Sequence, residues 1–530
     1  MKKNTAIYTA AAIILSLLIS SCSAGLSGEH YDMMPPGISN NAPPPSMDGG
    51  YQPPGESYSP SGESYLVIDE NPQIQTDQDS TLTFSLKVDT AAYTNVQRYI
   101  ESGNLPPKDA VRTEELINYF NYDTDFLFRS EPFSIYTEVA PSPFDADTLL
   151  AFVRVKTEDI DKSDLPRSNL TFLIDSSGSM SSYDKLPLLK QSFALLVETL
   201  GEDDVVSIVT YAGASSVVLD SVSGADKGRI LSAINSLEAG GSTAGGEGIQ
   251  TAYALAEKNF IAGGNNRIIL ATDGDFNVGV STNAELSRLV KAKKESGVYL
   301  SILGFGMGNI RDDLMETLSK DGNGNYSYIN SLRTAQKVLV DELTGNLFTV
   351  ADDVKAQIEF NPENVKSFRL IGYENRMMNF EDFADDSKDA GEIGAGTDLI
   401  ILFEIELHNA PGAVGLKYQS DPETVEAAPV SQYADELFEV RIRFKNPGEP
   451  ESNLITFPVT HENIGERGSN DFNFACSVAA FAGLLRGSQY SGQIAPGMIF
   501  AIAEDSLGSD VGGYRAEFLT LLNQYGNIVG

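Results

Sequence analysis

Between residues 168 and 349 the chain repeats one pattern: a short, uniformly apolar run, then a longer stretch with apolar residues on one helical face. The runs NLTFLID, VVSIVTYA, RIILATD and VYLSILGFG lack the polar alternation of a strand with one wet side. They read as parallel strands covered by helices on both faces. Helices are predicted over Lys185 to Leu200, Lys227 to Leu237, Gly248 to Asn259 and Ala284 to Ser296, the last with Asn283 before it and Gly297 after it. The alternation predicts an α/β fold with a doubly wound, mostly parallel sheet over residues 166–349. In that architecture ligands sit outside the carboxyl ends of the strands, where strand order reverses.

The period changes on either side. In residues 76–165, TLTFSLKV alternates like a strand, AAYTNVQRYIESG reads as a short helix, and DAVRTEELINYFNY sets Val111, Leu116, Ile117 and Phe120 on one face. With the strands FSIYTEV and LLAFVRV, this predicts a small mixed α+β N-terminal domain. In residues 350–460, DVKAQIEF and FEVRIRFK alternate strictly, with Val440, Ile442 and Phe444 opposite Glu439, Arg441 and Arg443, and LIILFEIEL is apolar enough to be central. That predicts a β-rich, sandwich-like domain. Residues 461–530 return to helix, with Asp471 as a candidate cap and Phe474, Val478, Phe481, Ala482 and Leu485 sharing a face.

The N-terminus follows neither pattern. Lys2 and Lys3 precede an apolar stretch from Ala6 to Ile19, too short to span comfortably, and Ile19-Ser20-Ser21-Cys22 follows. Residues 1–22 resemble a bacterial lipoprotein signal peptide with its lipobox, which implies cleavage before Cys22 and acylation of its sulfur; the alternative is an ordinary secretory signal with a chance cysteine. Membrane attachment would then come from acyl chains only. Ser23 is not the aspartate that resembles an inner-membrane retention signal, so a host with two membranes favours the outer one. Residues 23–75 hold nine of the 24 prolines and no period, and are predicted to be a disordered Pro/Gly/Ser-rich tether with a reach of about 40 Å.

Charge narrows the partners. With 74 Asp+Glu against 37 Lys+Arg, the formal charge of -37 repels phosphate backbones, so nucleic acid is excluded as a partner class. Cys476 is the one cysteine besides Cys22, and an intramolecular disulfide is not expected once Cys22 is acylated. Cys476 itself lies among apolar helical positions and is expected to be a buried, inert thiol.

The candidate chemistry lies in FLIDSSGSM, where a core strand ends in Asp175 and a turn carrying Ser177 and Ser179. GGSTAGGEG, with Thr243 before a helix, and ATDGDFN, with Asp273 ending a strand, should reach the same sheet edge. Together they offer carboxylates and hydroxyls but no His or Cys. Such hard donors match Mg2+, or Mn2+ or Ca2+, and not Zn2+. The competing reading has the hydroxyls capping helices and backbone amides satisfying Asp175.

FLIDSSGSM, GGSTAGG and ATDGDFNVG resemble the three metal loops of the von Willebrand factor type A domain, the site of its metal-ion-dependent adhesion. The resemblance implies Asp175, Ser177, Ser179 and Thr243 as ligands, with Asp273 acting through water. Relatives often carry Asn where this chain has Ala244, which bears on loop stiffness and not on ligation. TFSLKVDTAAYTNVQRYIESGNLPPKDAVRTEELINYF and DFNFACSVAAFAGLLRGSQYSG resemble the N-terminal and C-terminal domains of a bacterial envelope family with a central A domain. What this implies is binding: a lipid-anchored envelope protein whose under-neutralised metal accepts a carboxylate from a protein partner. The alternative is a structural or assembly factor whose metal stabilises the fold. A metal-dependent hydrolase is a more distant third, because no nucleophile elbow, zinc helix or phosphate loop occurs and the three histidines, His30, His408 and His461, lie away from the metal loops. DGNGNYSYI reads as a turn, since Tyr326 and Leu332 stand where a calcium loop needs glycine and glutamate. The acidic run EDFADDSKDAGE reads as a solvated loop.

Overall fold

A computed structural model of the protein describes residues 56–58, 62–123, 128–130, 132–145, 148–160, 164–242, 245–274, 282–408 and 433–530. The signal, Cys22, His30 and the tether up to residue 55 lie outside the described residues. Among the described residues no helix is long and apolar enough to cross a membrane.

The α/β region is as its sequence period predicts. Six strands lie in the order Ser215–Ser223, Val205–Tyr211, Ser168–Asp175, Asn265–Thr272, Tyr299–Phe305, Tyr326–Ile329. All neighbours are parallel except Ser215–Ser223, which runs antiparallel at one edge. The Ser168–Asp175 strand is buried along its whole length because helices cover both sides. Leu170, Phe172 and Ile174 face one core with the helices Leu186–Thr199 and Lys227–Asn235, while Leu173 faces the other with Gly245–Lys258, Asn283–Lys294 and Asp312–Asp321. From this strand the chain first builds one side of the sheet and then the other, so the order reverses beside Asp175 and the end of the Asn265–Thr272 strand.

Two strands of this six-stranded sheet have no counterpart in the predicted set. SSVVLDSVS is largely exposed on an edge, so burial imposes no apolar run on it, and YSYI was absorbed into the predicted turn at 321–329. The helix at 283–294 is capped by Thr282, not Asn283, through a capping box with Glu285. At 470–486 the cap is Ser469, which accepts from the Phe472 N–H. Asp471 is instead buried and accepts from Arg515 at 2.6 Å.

The flanking segments correct the expected domain divisions. Thr81–Ser85 pairs with Thr349–Phe360, and Leu149–Thr157 pairs with Asp398–Leu407, so segments 76–165 and 350–460 share two sheets. Their facing sides form one sandwich core that includes Leu82, Phe133, Val153, Ile358, Phe403 and Val440. The outer face of the second sheet, through Phe152, Ile400 and Leu402, packs on helices from both ends of the chain, Ala91–Glu101, Asn470–Arg486 and Tyr514–Val529. Phe120 sits edge-on to Phe474 and Phe518 at 5.0 and 5.7 Å, joining the two ends directly. The two predicted domains and the C-terminal helices are thus one three-layered body. The predicted tether also ends earlier than residue 75: Ser64–Leu66 is a strand, and Ile74–Gln75 pairs with Val365–Ile371.

Candidate metal centre

Asp175, Ser177 and Ser179 come together at the switch point. The strand carries Asp175 in a fully buried position, and the Ser177 N–H turns back to donate to its Oδ1 at 2.9 Å. Tyr211 Oη and Thr272 Oγ1 approach Oδ2 at 3.2 and 3.3 Å. Ser177 and Ser179 bring their hydroxyls within 2.9 Å of each other. Ser177 precedes a short 3-10 turn but makes no side-chain cap bond, so the capping reading does not account for its hydroxyl. The backbone half of that reading does hold for Oδ1. The second loop docks on the first, with Gly178 N–H to Gly241 O at 3.1 Å and Gly240 N–H to Ser176 O at 2.8 Å. Thr243 and Ala244 lie outside the described residues, as does the third loop after Gly274.

Asp273 ends the neighbouring strand, fully buried. Burial pushes the Asp175 carboxyl up to about 6, and the Asp273 charge adds to that rise while the Ser177 bonds oppose it. Two carboxylates in one dry edge repel, and a cation relieves both. Among the described residues no three His, Cys, Asp or Glu side chains gather to hold a metal. A cation at this edge would therefore depend on the Ser177 and Ser179 hydroxyls beside Asp175, which are hard donors suited to Mg2+, Mn2+ or Ca2+.

Several residues at this edge escaped the sequence reading. Lys185 Nζ donates to Asp273 Oδ2 at 2.8 Å and approaches Asn309 Oδ1 at 3.4 Å. Asn309 belongs to the loop after the Tyr299–Phe305 strand, whose place at a carboxyl end was the available signal. That loop rests on Gly274, where a Cβ would come within 2.7 Å of Arg311 N and Asn309 O, so only glycine fits. On its other side the loop is held by the chain's N-terminal segment. Gly308 N–H donates to Glu63 Oε1 at 2.8 Å, and Ser64 N–H donates to Ile310 O at 2.9 Å. Glu63 is fixed in turn by Arg98 at 2.7 Å.

The remaining candidates lie elsewhere. Cys476 is buried, and burial pushes its thiol well above the usual range, which leaves it unreactive. His408 and His461 meet the carbonyl oxygens of Pro362 and Asp435, in the sandwich. In the acidic run, Asp382 and Asp385 are held by their own loop, through Lys388 and Ser387.

Models of known families match the chain in three stretches. Residues 169–342 match the von Willebrand factor type A domain, residues 59–151 match a second model described as von Willebrand factor, and residues 345–528 match the C-terminal part of the uncharacterized protein YfbK. The uncharacterized protein YfbK of Escherichia coli (strain K12) is 45% identical over 466 residues, covering 86% of this chain and 80% of that protein. The chain belongs to the YfbK family. At 86% of this chain, the likeness extends beyond the A domain at residues 169–342 into the flanking segments. More distantly, the inter-alpha-trypsin inhibitor heavy chain H3 of Homo sapiens is 26% identical over 164 residues, 29% of this chain and 18% of that one. Among solved structures, a von Willebrand factor type A protein from Catenulispora acidiphila aligns at 16% identity with a TM-score of 0.41, covering 73% of this chain and 91% of that one.

Proposed function

We propose that this chain is a lipid-anchored envelope protein that binds a protein partner through a divalent cation, with Asp175, Ser177, Ser179 and Thr243 as ligands and Asp273 acting through water. The observation that carries the reading is the convergence of Asp175, Ser177 and Ser179 with buried Asp273 at the sheet's switch point. A bound Mg2+ or Mn2+ would supply a Lewis-acidic position for a partner's carboxylate. The chain's own part is to hold the hydroxyls in place, through the Ser177 turn and the Gly178 to Gly241 bond, and to keep the carboxylates dry. No reaction is assigned. Both described histidines sit in the sandwich, and the edge offers no candidate general base among the described residues beyond the carboxylates themselves. Attachment through acylated Cys22, at an outer membrane where the host has two, completes the reading and rests on the N-terminal sequence alone.

The test is isothermal titration of the full chain with Mn2+ and Mg2+. One site is expected in the wild type and none in Asp175→Ala; equal uptake by the two proteins would refute the ligand set. A structural role for the metal is the second reading, favoured by the Glu63 and Ser64 bonds that tie the metal edge to the rest of the body. Melting with and without EDTA separates them when compared with capture of partners by crosslinking in cells. If EDTA lowers the melting point and capture survives, the metal is structural.

A further inference from the structure

Resting on the cation reading above, we infer that Lys185 is the resident counter-cation of the site, and that its charge leaves a metal-loaded site one positive charge in excess of neutrality, to be cancelled by an external monocarboxylate. Lys185 is no loose surface lysine. It is 7% exposed, its Nζ lies 2.8 Å from Asp273 Oδ2, and Asn309 Oδ1 lies on its other side at 3.4 Å. Its stem fills the space beside Gly306, where a Cβ would come within 2.3 Å of the Lys185 Cε and Cγ. Its backbone stands at the N-cap position of the Leu186–Thr199 helix, and its side chain makes no capping bond there. An ammonium kept in that place needs a compensating anion, and Asp273 supplies it.

The charge count follows from named groups. Among the described residues, Asp175 and Asp273 carry two negative charges and Lys185 one positive, so these three groups sum to a single net negative charge before any ion arrives. A divalent cation turns that to a single positive charge. In a site shielded from water, a net charge is costly, and one carboxylate from outside cancels it. Without Lys185 the charges of these described groups and the metal would sum to zero, and an external carboxylate would have less to cancel. Lys185 thereby trades cation affinity for anion acceptance. The partner chemistry is a single Asp, Glu or C-terminal carboxylate; a phosphate dianion would overshoot the balance.

This assignment predicts shifts in opposite directions, which a merely structural lysine would not produce. The full chain is titrated with Mn2+ in chloride and in acetate at equal ionic strength, as wild type, Lys185→Met, Lys185→Gln, Lys185→Arg and Asp273→Asn. Wild type is expected to bind Mn2+ more tightly in acetate. Lys185→Met should bind Mn2+ about tenfold tighter in chloride and lose the acetate effect, because a unit positive charge has left the neighbourhood of the ion. Lys185→Arg should behave as wild type. Asp273→Asn should move the other way, with weaker Mn2+ uptake and a larger acetate effect, and Lys185→Gln, which keeps a polar head beside Asn309, decides the matter should Lys185→Met not fold. If wild type takes up no Mn2+, the cation reading itself fails. If wild type binds but Lys185→Met binds no tighter, or keeps the acetate effect, or Asp273→Asn binds Mn2+ more tightly, the role given to Lys185 is overturned and the metal site stands.

Discussion

Arg112 offers the sharpest test of how the A domain is joined to the rest of the molecule. Its guanidinium is 1% exposed and meets Glu115 Oε1 at 2.6 Å through Nε and Asp312 Oδ2 at 2.5 Å through Nη1, with Glu316 at 3.8 Å. Asp312 and Glu316 belong to an A-domain helix, whereas Arg112 and Glu115 belong to the N-terminal segment, so this cation ties the two segments together. Arg112→Met removes the charge and keeps most of the stem. Glu115 then retains the Ala92 N–H at 2.9 Å, but Asp312 and Glu115 are both left fully buried without their shared cation. Breaking a buried pair from one side costs about 3–5 kcal/mol, because the surviving charge stays desolvated. Urea unfolding followed by far-UV circular dichroism measures it, since the chain has no tryptophan to report by fluorescence. Arg112→Met is expected to lower the free energy of the first transition by that amount, and adding Glu115→Gln should recover part of the loss. A loss below about 1 kcal/mol, or a double variant as weak as the sum of two independent losses, would refute the view that these ions are desolvated and coupled.

Glu392 gives a pH dependence: burial pushes its carboxyl from the ordinary 4.5 up to about 7, against the pull of Lys87 at 3.9 Å. The folded state holds this proton where the unfolded chain has lost it, so its contribution to stability falls as pH rises from about 4.5 through 7, by on the order of 3 kcal/mol. Glu392→Gln should therefore be more stable than wild type at pH 8 and lose that advantage near pH 4.5; a constant difference in chemical denaturation across the range would count against it. Gly324→Ala should destabilise by about 3 kcal/mol in thermal melting, because a Cβ there would lie 1.9 Å from the Leu300 carbonyl oxygen and the strand Tyr326–Ile329 would have to shift; a melting point within a degree of wild type would refute the close approach. The Asp175→Ala and Lys185 titrations described above complete the set.

The strands and helices of the A domain were legible because central parallel strands, dry on both faces, need continuous apolar runs. Asp175, Ser177 and Ser179 were legible for a related reason: they follow such a run within five residues, so local chain geometry alone brings them to the sheet edge. The Thr282 cap is also written locally, as Thr-x-x-Glu, beside an adjacent Asn283 that offers the same kind of cap. Ser215–Ser223 was missed because its residues are mostly exposed and carry no burial signal.

What the sequence by itself determined is everything carried by a short stretch: the alternation of strand and helix, the oxygen-rich turn after the first strand of the sheet, and the apolar faces of the helices. What only the tertiary structure decided is who meets whom. Thr81–Ser85 pairs with a strand some 270 residues later, Asp471 is taken from a helix start into ion pairs, and Lys185 reaches Asp273 across 88 positions. Periodicity reports which face of an element must be dry, but not which other dry face will cover it. Partner choice is made by the packing of the whole body, where a strand or a charge separated by hundreds of residues competes on equal terms with its sequence neighbours once the chain has collapsed.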